Sequence, residues 1–232
     1  MKRYLFDNFS LFTFFSIIIL YFSLLIGFYY NENSTGGALI DYFGQKQISI
    51  SFSNNFLNTF LNFDETRTRH SPVLIILLSF LEKFQVNDLL IRLINLHFCL
   101  VLPIIFFRCL EIKFYDIDKK YLILLSGLIF LSPTFRSLSI WPDSRIWGLL
   151  FFSFSIYYFL LYKKHKNFTN CIYVVIFYTI SSYFSPNFSV FSIYFMLYFF
   201  KELNIKKIIK LLILNFFLSF PAFYYIFVLD IN

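Results

Sequence analysis

The polar residues of this chain that could do chemistry stand beside its apolar segments. Acidic and basic groups that converge at a membrane surface are suited to binding an anionic lipid head group and to a proton transfer beside it. Each one also has an ordinary alternative as a solvated loop charge. The candidates are Glu32, Asp41, the polar segment from Asp64 to Pro72 with Arg69 and His70, Arg136 and Asp143.

The composition requires lipid as the solvent for most of the chain. Of 232 residues, 59% are hydrophobic and 14% are charged, whereas about 25% of residues are charged in soluble domains. The net charge of +7 comes from short basic clusters between apolar runs, where membrane topology places them, so nucleic acid is not an expected partner. Cys99, Cys109 and Cys171 show no CxxC spacing, and we expect free thiols and no structural zinc.

Seven apolar stretches have the length of a membrane-spanning helix. The first, residues 8 to 31, carries no charge and is expected to be a retained anchor, because no small-residue cleavage site follows it. Residues 167 to 200 are too many for one helix, and Ser185-Pro186-Asn187 is expected to divide them into two spans. The other four are predicted at Leu89 to Phe107, Tyr121 to Ile140, Ile146 to Tyr162 and Leu211 to Leu229.

The distribution of Lys and Arg predicts the orientation of these spans. With seven spans, four basic segments share the side of the N-terminus and hold two, four, three and four of the 20 Lys and Arg residues. Because basic loops remain inside, we expect that side to be cytoplasmic, in a bacterial inner (plasma) membrane. The segments are Lys2-Arg3, Arg108 to Lys120, Lys163 to Lys166 and Lys201 to Lys210.

The long stretch of residues 31 to 88 is expected to lie on the outer face. Phe56, Leu57, Phe60 and Leu61 repeat at helical spacing, which is typical of a helix in the membrane surface. Val73 to Phe84 is apolar but too short to cross comfortably, and we predict a second surface helix there. The sequence thus predicts an all-α integral membrane protein, with residues 1 to 232 as one transmembrane domain.

Five short motifs follow one another in an order that resembles a known family. They are Asn31-Glu32 after the first span, Arg69-His70-Ser71-Pro72-Val73-Leu74 before a surface helix, Arg92-Leu93 in the second span, Ser132-Pro133 with Arg136, and Trp141-Pro142-Asp143 before the fourth span. This order resembles the multi-spanning glycosyltransferases of the GT-C fold, which include protein O-mannosyltransferases and bacterial aminoarabinose transferases. Relatives generally carry more spans, so the resemblance implies that this chain corresponds to an N-terminal module without the family's C-terminal part.

The resemblance implies transfer of a sugar from a polyprenyl-phosphate carrier to an unidentified acceptor on the outer face, with membrane lipids around the protein. Glu32 is then the candidate base and Arg136 the candidate phosphate ligand. The alternatives are that Glu32 only ends the first helix at the interface, and that Arg136 snorkels to lipid phosphate. Arg69 and His70 are candidate contacts to the acceptor or carrier, or have a structural role.

No cofactor is predicted, but a divalent metal stays an open alternative at two places. Asp143 could bind such a metal, hold Arg136 in place, or cap the fourth span, and capping is the favoured role. Asp64 and Glu65 are expected to form a solvated face, with metal binding as the alternative.

Two other classes of protein compete with a transferase. A transporter or flippase should show repeated halves and charged or broken helices at the bilayer midplane, and the sequence shows no such repeat. The second alternative is a noncatalytic scaffold or assembly subunit of a membrane complex, which needs no catalytic site.

Overall fold

A computed structural model describes residues 2–66, 68 and 71–227, and these residues form helices and connecting turns without a β-strand. The all-helical class predicted from the sequence is confirmed. The first half of the chain contains α1 (Lys2–Tyr29), α2 (Ala38–Asn54), α3 (Phe56–Leu61), α4 (Pro72–Lys83), α5 (Asp88–Cys99) and α6 (Val101–Lys113). The second half contains α7 (Lys119–Gly127), α8 (Pro133–Ile140), α9 (Ser144–His165), α10 (Phe168–Phe184), α11 (Phe191–Glu202) and α12 (Ile205–Phe227).

Several of these helices are long and apolar enough to cross a bilayer. Within the described residues, Leu11–Tyr29, Asp88–Lys113 and Ser144–His165 meet that requirement. A bent pair of helical segments, Lys119–Leu131 and Pro133–Ile140, raises the number to four if it is one span. The chain is therefore compatible with a multi-pass membrane protein, and the full set of seven spans stays a prediction.

The predicted third span, Tyr121 to Ile140, is not one straight helix. After α7 and a short 3-10 helix over Leu128–Leu131, the chain bends by 68° and resumes as α8. Ser132 accepts a hydrogen bond from the Phe135 backbone N–H as the N-cap of α8, and Pro133 occupies the first turn. A Ser-Pro pair favours a new helix start because Pro has no N–H to donate to the preceding turn.

The break predicted at Ser185-Pro186-Asn187 is present. Helix α10 ends at Phe184, a 3-10 helix covers Pro186–Val190, and α11 follows. The last predicted span falls on α12, but Val228 and Leu229 lie outside the described residues.

Two buried clusters hold the helices together. The larger one joins α1, α5, α6, α8 and α9 through residues such as Leu24, Leu96 and Leu150. The second joins α9, α10, α11 and α12 through Phe159, Val174 and other apolar residues. Helix α9 contributes to both clusters, so it connects the two groups of helices.

The segment between α1 and α5 forms a layer of short helices. Both helices expected there are present, as α3 and α4, while their position in the membrane surface stays a prediction and α2 was not predicted. Phe52, Phe63 and Ile75 form a small core under this layer. Ser71 caps α4, and its hydroxyl also donates to the carbonyl of Tyr183 on α10. The layer is thus attached to the helix bundle through polar as well as apolar contacts.

Candidate functional site

A bidentate ion pair between Glu32 and Arg136 lies at one end of the bundle. The Arg136 Nε donates to both carboxylate oxygens, at 2.7 Å from Oε1 and 3.0 Å from Oε2, and Nη2 lies 2.6 Å from Oε2. Both side chains are largely buried, with 22% of Glu32 and 14% of Arg136 exposed. Two of the predicted site residues, distant in sequence, therefore meet in space.

The turn that follows α1 positions Glu32. Asn31 adopts a left-handed conformation with φ of 55°, which Asn tolerates better than most residues. The Glu32 N–H then donates to the Gly27 carbonyl at 2.8 Å, and Trp141 Nε1 donates to the Glu32 carbonyl at 3.0 Å. A side chain at Gly27 would collide with the Glu32 carboxylate, so glycine is needed for this close approach.

The bend at Ser132 positions Arg136. It directs the first turn of α8 against α1, where the guanidinium also donates to the Ser23 carbonyl at 2.9 Å and the Ser23 hydroxyl at 3.2 Å. The Phe130 carbonyl lies 3.4 Å from Nη1. Arg136 thus satisfies its donors with protein acceptors, as a largely buried charge requires.

The pKa of Glu32 lies below its ordinary value of 4.5, mainly because the Arg136 guanidinium donates hydrogen bonds to the carboxylate. Partial burial opposes this shift, and a hydrogen bond from Ser34 adds to it. The carboxylate is therefore ionised at neutral pH. A base needs an ionised carboxylate, but one with a lowered pKa accepts a proton less readily. Withdrawal of Arg136 toward another anion would restore its proton affinity.

Asp143 belongs to a second ionic cluster, which also contains Arg145 and Asp41. Its side chain is fully buried and accepts the Arg145 N–H at 2.7 Å, which caps the N-terminus of α9. The Arg145 side chain donates to Asp143 at 2.9 Å and 2.7 Å, and to Asp41 on α2 at 2.6 Å. The capping role favoured from the sequence is present, and the arginine that Asp143 contacts is Arg145, whereas Arg136 is held by Glu32.

A mostly apolar groove of about 620 Å³ has Arg145 among its lining residues. Apolar side chains of α6, α8 and α9 form most of its wall. Ile146, Leu149 and Ser153 follow one face of α9 along the groove, over about 10 Å at 1.5 Å per residue. The other lining residues are Thr35, Gly37, Ala38, Leu102, Phe106, Ile129, Ser132, Thr134, Phe135, Leu138 and Phe188.

Arg92 supports the Glu32 turn from the other side. Its guanidinium lies 3.6 Å from the centre of the Trp141 ring, and Nη1 donates to the Asn31 side chain at 2.8 Å. Nε donates to the Ile140 carbonyl at 3.3 Å, while Nη2 is buried without a hydrogen-bond partner in the described part of the chain. Arg92 therefore contacts Asn31, which precedes Glu32, and Trp141, whose indole donates to the Glu32 carbonyl.

The chain matches no protein-family model, no curated protein and no solved structure. Its function is therefore inferred from the geometry of its own residues. That geometry brings together Glu32 and Arg136, joins Arg145 to Asp143 and Asp41, and places Arg145 in the wall of a mostly apolar groove.

The other predicted residues do not join the two ionic clusters in the described part of the chain. Arg69 and His70 lie outside the described residues. Asp64 and Glu65 are exposed in a 3-10 helix over Phe63–Thr66. Among the described residues, no group of three or more His, Cys, Asp or Glu side chains could hold a metal ion.

Arg145 was missed by the sequence reasoning. Its signal was Asp143-Ser144-Arg145 at a helix start, where the Asp caps the helix and the Arg can fold back on it. Arg145 was missed because it lies between the chosen acid, Asp143, and the predicted span that begins at Ile146.

Proposed function

We propose that this chain is a membrane glycosyltransferase that moves a sugar from a polyprenyl-phosphate carrier to an acceptor at the membrane face where Glu32 lies. The single observation that carries the proposal is a mostly apolar groove that has Arg145 in its wall and is also lined by Phe135, the residue before Arg136. An amphiphile with one anionic group adjoining a long apolar chain fits such a groove. The order of motifs in the sequence, which resembles the GT-C enzymes, supports the same substrate class.

The groove favours a lipid-linked substrate over a soluble one. Its walls on α6 and α9 are apolar for most of their length, and both helices belong to candidate membrane spans. A polar nucleotide sugar would not bury the apolar side chains of these walls, whereas the isoprenoid units of a lipid carrier would cover them and exclude water.

Arg145 is the proposed ligand of the carrier phosphate. Half of its side chain is exposed, and it forms a partly exposed ion pair with Asp41. Ion pairs of this kind contribute little to stability. A phosphate oxygen could replace Asp41 while Asp143 keeps the guanidinium in place. Bidentate contact with phosphate is the geometry that arginine offers and lysine does not.

Glu32 and Arg136 are the proposed base and electrostatic partner. The acceptor hydroxyl would give its proton to the Glu32 carboxylate as its oxygen bonds to the anomeric carbon. The bond from that carbon to the phosphate oxygen breaks, and its electron pair leaves on the phosphate. Arg136 would move from Glu32 toward this developing charge, which stabilises the leaving group and raises the proton affinity of the carboxylate.

The test is sugar transfer from labelled polyprenyl-phosphate sugars in membranes that contain the chain. Glu32→Gln should lower transfer by at least a hundredfold, because an amide cannot accept the proton. The matched control is Glu111→Gln, which also removes a carboxylate paired with an arginine, 2.9 Å from Arg108. This variant should transfer at the wild-type rate. Equal losses in the two variants would contradict the role of Glu32.

Carrier binding separates the enzyme from the noncatalytic alternatives. The bend at Ser132 and the break at Ser185 are interrupted helices, a feature of transporters and flippases. If wild type retains polyprenyl phosphate and transfers no sugar from any donor tried, a carrier-binding subunit or a flippase becomes the better account. Arg145→Ala should weaken carrier retention by about tenfold to a hundredfold, the equivalent of one charged hydrogen bond.

A further inference from the structure

A concentrated basic surface lies at the other end of α9 from the candidate site. Between residues 163 and 210 the chain has seven lysines and a single acidic residue, Glu202. All seven lysines are exposed. We call this the lysine surface; it consists of Lys163, Lys164, Lys166, Lys201, Lys206, Lys207 and Lys210.

The fold gathers these lysines from three separate segments. Lys166, after the end of α9, pairs with Glu202 at the end of α11, with 2.5 Å between Nζ and Oε2. The Nζ of Lys207 on α12 lies 5.6 Å from the centre of the Phe168 ring at the start of α10. Four helix ends therefore meet there, and the positive charges of their lysines add in one place.

Apolar side chains that face outward begin directly beside the lysines. On α12, Ile205 and Ile209 each adjoin a lysine and Ile213 lies one turn further on; they are 65%, 48% and 51% exposed. Leu197 and Phe200 on α11 are similarly exposed. An ammonium group within one helical turn of exposed apolar residues lies at the height of phospholipid head groups.

Another basic segment on the same side of the predicted topology, residues 108 to 120, is different. Residues 108 to 120 hold four basic and three acidic residues. Glu111 there bridges Arg108 and Lys119, at 2.9 Å and 2.5 Å. To orient the membrane spans, a few lysines near the helix ends are enough, and both segments have them. The large uncompensated excess at the lysine surface calls for a separate explanation.

We infer that the lysine surface binds the phosphate groups of anionic phospholipids, such as phosphatidylglycerol, in the adjoining leaflet. The charge complements such head groups, and the exposed isoleucines of α12 and apolar residues of α11 pack against their acyl chains. Polybasic segments next to a membrane-spanning helix attract anionic lipid in this way. This site is independent of the proposed transferase, since α9, at about 33 Å, separates the two ends.

The test uses the purified full chain in a neutral detergent, with dioleoyl phosphatidylglycerol or dioleoyl phosphatidylcholine added and bound lipid counted by native mass spectrometry. Wild type should bind phosphatidylglycerol at least tenfold more tightly. Replacement of Lys206, Lys207 and Lys210 together by Gln should reduce that preference tenfold or more. The same three positions changed to Arg should keep it, because the charge is retained.

The matched control is Lys113, Lys119 and Lys120 changed together to Gln, which removes three positive charges from the neutralised segment. Its lipid preference should stay within twofold of wild type. Equal binding of the two lipids by wild type, or equal losses in the two Gln triples, would overturn the inference. Displacement of bound lipid by millimolar inorganic phosphate would also overturn it, because the ligand would then be a soluble anion.

Discussion

The Glu32–Arg136 pair should stabilise the junction of α1 and α8, and a double-mutant cycle measures how much. The perturbations are Glu32→Gln, Arg136→Gln and the two combined. Either single change leaves a mostly buried charge without its partner, and such losses cost about 3–5 kcal/mol. The three hydrogen bonds of the pair are charge-assisted, so we expect a coupling free energy of about 2 kcal/mol, within the range for residues in contact.

The assay is reversible unfolding in mixed micelles of increasing sodium dodecyl sulfate content, and native cysteines provide the reporter. Cys99, Cys109 and Cys171 are all buried, with 7% exposure at most. A maleimide should react with them only after unfolding. The control cycle uses Lys166 and Glu202, an ion pair in which both side chains are more than a third exposed. Its coupling should stay below about 1 kcal/mol.

The coupling should also depend on pH. A carboxyl whose pKa is lowered by folding contributes stability that is fully present above its unfolded value. For Glu32 that value is the ordinary 4.5, and the contribution is lost as the pH falls below it through the lowered pKa. Single-mutant effects that sum to the double-mutant effect within about 0.5 kcal/mol would refute the reasoning. So would a coupling that is unchanged between pH 7 and pH 3.

Three further predictions use single substitutions. Gly27→Ala should destabilise by about 1–3 kcal/mol in the same titration, because its methyl group collides with the ion pair, whereas Gly44→Ala meets open space and should be neutral or stabilising. An impermeant maleimide should label Leu57→Cys from outside intact cells and Lys164→Cys only after permeabilisation; the reverse pattern would invert the predicted topology. Trp141→Phe should cost about 1–2 kcal/mol through the lost indole hydrogen bond and the weaker cation–π contact.

The lengths and breaks of the helices could be predicted from the sequence where charged residues bound an apolar run or a proline interrupts it. The uncharged run before Glu32 contains the apolar part of α1, and Pro186 marks the break after α10. Helix α2 was not predictable in the same way, because Gln45, Lys46 and several serines interrupt its apolar pattern. It is held in place by tertiary contacts, including the buried Tyr42, which donates to Asp88 at 2.5 Å.

The site was predictable as a set of residue types but not as a set of partners. Glu32, Arg136 and Asp143 could be chosen because each is a charge at the edge of an apolar run. Which arginine each acid contacts depends on the bend at Ser132, since it determines where α8 lies against α1. The Ser-Pro pair marks a helix start, but it does not encode the angle.

The same bend makes α8 a short lever. Arg136 stands four residues beyond Ser132, about 6 Å along the helix at 1.5 Å per residue. A rotation of about 10° around the bend would therefore move its backbone by about 1 Å, enough to lengthen contacts of 2.6 to 3.0 Å beyond hydrogen-bonding range. A molecule that pressed on the groove wall formed by α8 could thus release Glu32 without touching it.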